Sequence, residues 1–458
     1  MKKIIINWFR NDLRISDNSS LYHASIEGYV LPIYIINNKK SSNSNNWLNY
    51  SLISLNNSLK GNLAIYEDKV ENVFSKIFSK INVTKLFFNK CYEPYNIDIE
   101  KKVTSISQKN NVEIKIFNNN SLTCPSNLLK DDNKPYKVFT HFYKNLLSKK
   151  INKTIFPTPK KIQFVKTKID NNYNKLIQKI SNEKKIILNN NVGEENAQKK
   201  LKNFIEKNLK NYGTDRNFPY KNCVSYLSAN LSFGEISTNQ IIHNLSEKQD
   251  KEKEPFVRQL IWREFCYNLV YHFPNLDKKN LQNKFDNFPW IKNDDFLMKW
   301  QQGKTGYPII DAGMRELKKT GYMHNRLRMI VGSFLVKNLL IHWHYGAKWF
   351  SENLFDADFA NNNVSWQWVS GCGTDAAPYF RIFNPILQGK KFDPHGTYTK
   401  KYVPELNKLD IKYLFEPWKT PKEVLRSSSV ILGKDYPYPI IDIEQSRKKA
   451  LEIYKCYK

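Results

Sequence analysis

In the first 120 residues, short runs of β-branched and aromatic residues alternate with stretches whose apolar side chains recur at helical spacing. Ile4-Ile5-Ile6-Asn7-Trp8-Phe9 reads as a buried strand, Tyr29 to Ile35 as a second, Lys85 to Phe88 as another and Val112 to Phe117 as a later one. Trp47 to Leu59 and Val70 to Ile81 read as helices between them. Strands that alternate with helices are joined by crossovers, which place neighbouring strands parallel. This order therefore constrains the segment to a Rossmann-like α/β domain built on a parallel sheet. No GxGxxG follows the first strand, so the standard dinucleotide fingerprint is absent.

Residues from about 121 to 200 are polar, rich in Lys and punctuated by Pro125, Pro135, Pro157 and Pro159, which suits a long connector. From about 196 the texture becomes helical, and seven of the ten Trp fall between 262 and 368. The expected organisation is an α/β domain over 1–125, a linker over 126–195 and an all-α domain over 196–458. A chain of 458 residues with 41% apolar and 14% aromatic content has ample core for this and is not disordered. No apolar run reaches the roughly 18–20 residues of a membrane helix, and the run after Met1 is too short for a signal peptide. The six Cys (91, 124, 223, 266, 372 and 456) are scattered and form no CxxC. Reduced thiols, a cytoplasmic location and no bound metal are expected.

The formal net charge is +29, carried by 61 Lys and only 11 Arg. Scattered Lys supplies a diffuse attraction to polyanions and equally suits a chain biased toward Lys and Asn. Arg is more selective. None occurs from 15 to 215, and nine of the eleven are Arg10, Arg14, Arg216, Arg258, Arg263, Arg315, Arg326, Arg328 and Arg381. Where Lys is the default cation, Arg suggests a need for a planar, bidentate, stacking donor.

Those arginines sit in recognisable strings. Trp8-Phe9-Arg10-Asn11-Asp12-Leu13-Arg14 with Asp17-Asn18 follows the first strand, and alone reads as a salt-bridged loop. Further on come Gly303-Lys304-Thr305-Gly306-Tyr307-Pro308-Ile309-Ile310-Asp311-Ala312-Gly313-Met314-Arg315 and Gly321-Tyr322-Met323-His324-Asn325-Arg326-Leu327-Arg328-Met329. Asp356-Ala357-Asp358, Asn361 to Trp368 and Gly373 to Pro385 complete the series. Together they resemble the photolyase/cryptochrome family, most closely the class I cyclobutane pyrimidine dimer photolyases. The resemblance covers nearly the whole chain and is most specific from 212 to 400. It implies an antenna domain at the N-terminus and a helical domain that holds non-covalent, reduced FAD beneath a cavity for a flipped-out DNA lesion.

Carried over residue by residue, the resemblance assigns roles. Val224, Ser225, Tyr226, Leu227 and Ser228, with Tyr212, would cradle the FAD diphosphate; hydroxyls and free N–H groups at a helix start suit that task. Val224 stands where the family often has Thr. On a helix from about 255 to 272, Gln259, Trp262, Arg263 and Cys266 share a face. Trp262 would stack on the flipped bases and Arg263 would support the flavin. Gln259 stands where dimer photolyases usually carry Glu and six-four photolyases commonly carry Gln. Asn325 and Met329, one turn apart with Arg328 in register, occupy the two positions where six-four enzymes use His, and His324 points off that face. Arg328, Asp356 and Asp358 would line the flavin, Asp356 accepting from its ring N–H. Asn362 would face flavin N5, where plant cryptochromes have Asp and animal ones Cys. Trp366, Trp343 and Trp290 match the family's electron-transfer chain, and Trp368 the second wall of the lesion pocket. Arg216, Arg326 and Arg381 match phosphate-contacting positions.

The reading is a monomeric, blue-light-driven DNA lyase with no obligate protein partner and no membrane. Gln259, Asn325, Met329 and Asn362 would act at the reacting centre. A cryptochrome photoreceptor and a six-four photolyase are its alternatives; Asn362 and the end of the chain at Lys458 weigh against the first, and Asn325 with Met329 against the second. A second, antenna chromophore of unknown identity is possible. The His-x-Met string of some folate-binding members is replaced by Ser41 to Trp47, while Glu93 in Cys91-Tyr92-Glu93-Pro94 matches an antenna-contacting carboxylate.

Overall fold

The structure is a computed structural model that describes residues 3–37, 42–149, 155–166, 188, 190–376, 378–379 and 381–456. Residues 167–187 of the expected connector, and Ser41, Ala377 and Phe380 of the sequence strings, lie outside these. The chain forms two compact units, Met1–Lys210 with Ser225–Pro274, and Asn211–Val224 with Asn275–Lys458.

In the first unit β1 (Ile4–Phe9), α1 (Ser19–Glu27), β2 (Tyr29–Ile36), α2 (Ser42–Ser58), β3 (Ala64–Glu67), α3 (Val70–Lys80), β4 (Lys85–Asn89), α4 (Pro94–Lys109) and β5 (Glu113–Phe117) follow in order. The five strands are all parallel, in the order β3-β2-β1-β4-β5. The four strands expected from β-branched runs are present. Strand β3 was not expected, because four residues are too few to show a period. Ile6, Trp8, Leu31, Ile33, Leu86 and Phe88 turn one face of the sheet onto Phe74 and Ile77 of α3 and Val103 of α4. Trp8 sits edge-on to Phe74 and Phe88 at 5.3 and 5.4 Å between ring centres.

The string after β1 is a buried hydrogen-bond knot. Asp12 accepts from Arg10 N at 2.7 Å and from Asn89 Nδ2 at 2.6 Å, and the Arg10 guanidinium donates to the Asn89 carbonyl. Arg14, 1% exposed, donates to the carbonyls of Asp17 and of Gly234. Gly234 has φ +67°, and a Cβ there would lie 1.9 Å from the Asn11 carbonyl oxygen, so only glycine lets the chain pass. The same unit holds the later helices α5 (Phe139–Ser148), α6 (Glu194–Lys207), α7 (Ser228–Ser232), α8 (Thr238–Asn244) and α9 (Asp250–His272); Glu194 at the start of α6 accepts from Ile15 N at 2.8 Å, and Ser237 before α8 donates to Asp17. Arg10 and Arg14 are thus fold-building residues.

The second unit is helical: α10 (Asp294–Gln302), α11 (Pro308–Thr320), α12 (Asn325–Ser333), α13 (Trp343–Asn353), α14 (Phe359–Ser370), α15 (Pro385–Phe392), α16 (Thr397–Tyr402) and α17 (Ile443–Lys455), with shorter turns between. Its core holds Trp300 and Trp343, both fully buried. Each indole N–H finds an acceptor, Trp300 on the Val331 carbonyl at 3.0 Å and Trp343 on Asn280 Oδ1 at 2.9 Å. Asp311, in the string 303–315, is buried and accepts from Thr305 N, Thr305 Oγ1, Gly306 N and Tyr436 OH at 2.6–3.1 Å. Arg315 pairs with Glu405 at 2.7 Å. That string, too, builds the fold.

Candidate functional site

Helix α9 carries Gln259, Trp262 and Arg263 at its half-buried rim, while Cys266 is buried beneath. Trp262 stacks on Phe139 of α5, with ring centres 3.7 Å apart and planes within 4°. One face of the indole is therefore backed by a buried ring. Arg258 lies over the rings of Phe139 and Tyr143 at 5.2 and 5.0 Å, so a cation closes the far end of the stack. Phe139 falls in the expected linker, where nothing in a Lys-rich stretch marks it. Gln259 makes one long contact, Nε2 to the Pro255 carbonyl at 3.4 Å. Arg263 donates to the Leu231 carbonyl at 3.0 Å and lies over the Tyr267 ring at 4.5 Å.

The segment Ser225–Ser228 leads into α7. Tyr226 adopts a left-handed φ of 55° and its ring is exposed. Ser228 opens α7, whose N-cap residue Leu227 offers no side-chain acceptor. The N-cap residue makes no side-chain hydrogen bond to the turn, and Ser225 Oγ accepts from Leu227 N at 3.4 Å. Below the segment, Lys200 Nζ donates to the Asn191 carbonyl and Asn230 Oδ1, both at 3.0 Å, and reaches the Tyr226 carbonyl at 3.5 Å. Burial, against the opposing pull of Glu235, brings its pKa down to about 8. Lys200 sits among neighbouring lysines in the sequence, where nothing marks it.

In the second unit, α12 presents Asn325 exposed and Met329 half-exposed. His324, one residue earlier, is the helix N-cap; its Nδ1 accepts from Arg326 N at 3.2 Å and the side chain is buried. Burial, with Arg328 and Arg326 nearby, lowers its pKa to about 4, so it is a neutral imidazole at ordinary pH. Arg328 Nη2 donates to both oxygens of Asp356, at 3.1 and 2.8 Å, and its Nε to the Met323 carbonyl at 2.8 Å. Burial alone would lower the guanidinium pKa, and Asp356 outweighs it and raises it. Asp358 caps α14 by accepting from Asn361 N at 2.8 Å. Asn362 Nδ2 donates to the Ala347 carbonyl of α13 at 2.9 Å, which fixes the amide with its oxygen turned away from α13.

The three tryptophans expected to form a chain differ in burial: Trp366 and Trp343 are buried, Trp290 half-buried. His342 lies between the outer two, 5.2 Å from Trp290 and 5.7 Å from Trp343, and burial beside His344 lowers its pKa to about 4. Gly346 of α13, three residues after Trp343, faces Trp366, and a Cβ there would lie 2.2 Å from the indole. Trp368 is half-buried.

Tyr212 is buried, with Arg216 over its ring at 5.6 Å, and Val224 is half-buried. Arg326 lies over the Phe392 ring at 4.3 Å and donates to Asn217 Oδ1 at 2.6 Å, while its Nε is buried without a partner. Burial and the neighbouring Arg216 lower the Arg326 pKa. Two arginines repel each other here, and neither makes an ion pair among the described residues. Arg381 is exposed. Cations gathered without carboxylates suit phosphate oxygens.

Known proteins match this chain along its length. The family model for DNA photolyase matches residues 5–160, and that for the FAD binding domain of DNA photolyase matches 256–456. The chain is 39% identical to the deoxyribodipyrimidine photo-lyase of Agrobacterium fabrum, covering 99% of this chain and 98% of that one. It is 34% identical to cryptochrome-2 of Arabidopsis thaliana, covering 98% of this chain and 78% of that one. Among solved structures, a bacterial class III photolyase from Agrobacterium tumefaciens superposes with a TM-score of 0.95 at 38% identity, covering 100% and 98% of the two chains. With sequence and fold shared over nearly the whole of this chain, it belongs to the photolyase/cryptochrome family and carries its FAD-binding domain.

Proposed function

We propose that this protein is a deoxyribodipyrimidine photo-lyase, which splits cyclobutane pyrimidine dimers in DNA under blue light. The observation that carries this reading is the chemistry of α12. Beside the half-buried Arg326 and Arg328 it presents an exposed amide, Asn325, and a half-exposed thioether, Met329, while the adjacent His324 is locked away as a neutral helix cap. A lesion whose repair requires a proton donor finds none on this face, whereas opening a cyclobutane ring needs none.

The residues fit FAD. Ser225, Ser228 and the first N–H groups of α7 would take the diphosphate, with Lys200 beneath holding the loop carbonyls. Asp356, held in place by Arg328, would accept from the ring imide. Asn362 brings no acidic proton to the ring. FAD held there in its reduced form would supply, on excitation, the electron for ring opening, with no net redox change. Gln259 and Asn325 would hold the pyrimidine edges. Trp262, backed by Phe139, and Trp368 would stack on an extruded dimer, which pairs poorly and is cheap to flip. Trp290, Trp343 and Trp366 would carry electrons inward; neutral His342 puts no positive charge between the outer two. Arg216, Arg326 and Arg381 would bind the strand.

The test supplies two oligonucleotides, one with a single cyclobutane dimer and one with a single six-four photoproduct, to reduced enzyme under blue light. Restoration of the dimer substrate alone is expected. Restoration of only the six-four substrate, or of neither, would overturn the proposal.

A further inference from the structure

Helix α12 runs into a π-helical turn, Phe334–Asn338, that is buried throughout. Such turns cluster at functional sites. Its fourth residue is Lys337, 1% exposed and without an ion pair among the described residues. Its Nζ donates to the Arg381 carbonyl at 3.1 Å and lies 5.4 Å from the ring of Tyr379. The same turn region holds the segment again two residues on, where Phe383 N donates to Ser333 Oγ at 3.3 Å. Tyr379 is itself stacked on Tyr454 of α17, ring centres 4.3 Å apart. The chain around Arg381 is thus strapped to the core at three points, while the Arg381 side chain is exposed.

A neutral donor would satisfy one carbonyl at less cost than a buried ammonium. Lysine adds a charge, and its effect reaches past that carbonyl. The ammonium makes a charge-assisted hydrogen bond to the backbone of Arg381 and repels the guanidinium of the same residue, favouring its extension into solvent. We propose that Lys337 is a positioning residue for DNA: it fixes the Arg381 backbone and drives the Arg381 side chain outward to meet a phosphate of the lesion-bearing strand. The inference rests on the photolyase reading above.

The charge on Lys337 is adjustable. Burial, and then Arg381, bring its pKa down to about 7; Cys372 opposes this weakly, its own thiol pushed up to about 12 by burial. The other ionisable group on the strap is the Tyr379 phenol, raised by burial. Of the helices packed on the turn, α14 has no ionisable side chain. The ionisable side chains of α12, α13 and α17 are not among the groups that shift Lys337. Affinity for DNA should therefore weaken as pH rises from about 6.5 to 8.5.

The experiment measures binding of an oligonucleotide with one cyclobutane dimer, and of its undamaged counterpart, by fluorescence anisotropy. The proteins are the FAD-loaded wild type, K337M, K337R, R381A and K337M/R381A. At pH 6.5, K337M should bind the dimer about tenfold more weakly than wild type, with an unchanged flavin spectrum and undiminished melting temperature. The double variant should bind no worse than R381A alone. Wild type should lose affinity on going to pH 8.5, while K337R, whose guanidinium stays charged, should not. K337M binding like wild type, or K337M costing as much in the R381A background as alone, would overturn the proposal. If K337M does not fold, a K337R profile that falls with pH as steeply as wild type overturns it equally. A wild type that does not prefer the dimer would instead defeat the photolyase reading.

Discussion

Replacing Arg328 by Met should separate the structural and cofactor roles of the pair it forms with Asp356. The Arg328 guanidinium meets both carboxylate oxygens at 3.1 and 2.8 Å, and the Asp356 side chain is only 6% exposed. A surface ion pair of this length would be worth about 0–1 kcal/mol. Here removal of the cation strands a buried carboxylate, and also takes the donor from the Met323 carbonyl at 2.8 Å, so the cost should be about 3–5 kcal/mol. In a unit of about 200 residues each kcal/mol shifts the melting midpoint by roughly 2–4 °C, giving a drop of about 6–20 °C. The double variant R328M/D356L removes both charges and should regain most of that loss. FAD affinity should fall at least tenfold in both variants, because Asp356 is lost or misplaced in each. Urea unfolding and calorimetry give the stabilities, and flavin fluorescence on dilution gives the affinity. A single variant costing under about 1 kcal/mol, or a double variant no more stable than the single, refutes the reasoning about a stranded charge. A double variant that keeps wild-type FAD affinity refutes the role given to Asp356.

Gly346→Ala places a Cβ 2.2 Å from the Trp366 indole, so the ring must move by about 1 Å; overpacking of about 1–3 kcal/mol outweighs a helix-propensity gain of about 1 kcal/mol. The variant should melt lower and reduce its flavin more slowly under light, and an unchanged rate with a raised midpoint contradicts this. Arg326→Ala or Arg381→Ala should weaken binding of dimer-containing DNA by about ten- to a hundredfold, far more than any single Lys→Ala in residues 126–200. Equal effects in a filter-binding comparison would mean that bulk charge governs affinity. Glu235, fully buried against Ser51, Trp47 and Asn230, has its pKa raised by burial from 4.5 to about 7. Between those values the folded protein holds a proton that the unfolded chain releases, so stability falls as pH rises, by about 2 kcal/mol between about pH 5 and 7.5. Glu235→Gln should flatten that slope in urea titrations, and a variant with the wild-type slope would show another group to be responsible.

The element order could be read from the chain wherever a period had room to show. Strands β1, β2, β4 and β5 follow from their β-branched runs and α3 from its apolar spacing, whereas β3 is too short to declare itself. The arginines of this chain serve two different ends. A planar, multiply bonding cation is useful at a phosphate, and equally useful in closing a buried knot. Arg10, Arg14 and Arg315 do the latter, and sequence strings do not distinguish the two uses. Phe139, Lys200 and Lys337 were not legible for a different reason. Phe139 and Lys200 lie in polar, Lys-rich stretches that look solvated, and the group each serves is 123 residues away, at Trp262, or 26 away, at Tyr226. Lys337 sits in an apolar run, and its partner is 44 residues on, at Arg381.

By itself the sequence determined the parallel α/β unit, the helical region rich in tryptophan and the kinship with photolyases and cryptochromes, because these depend on local periodicity and on strings of adjacent residues. Tertiary structure decided which charges are satisfied. It buried His324 as a cap while leaving Asn325 and Met329 outward, joined Arg328 to Asp356, and set Arg216 beside Arg326 with no ion pair to either among the described residues. A hydrogen bond or ion pair depends on distances of a few ångströms between groups that the chain order keeps far apart. Only packing sets those distances, and through them the chemistry each residue can perform.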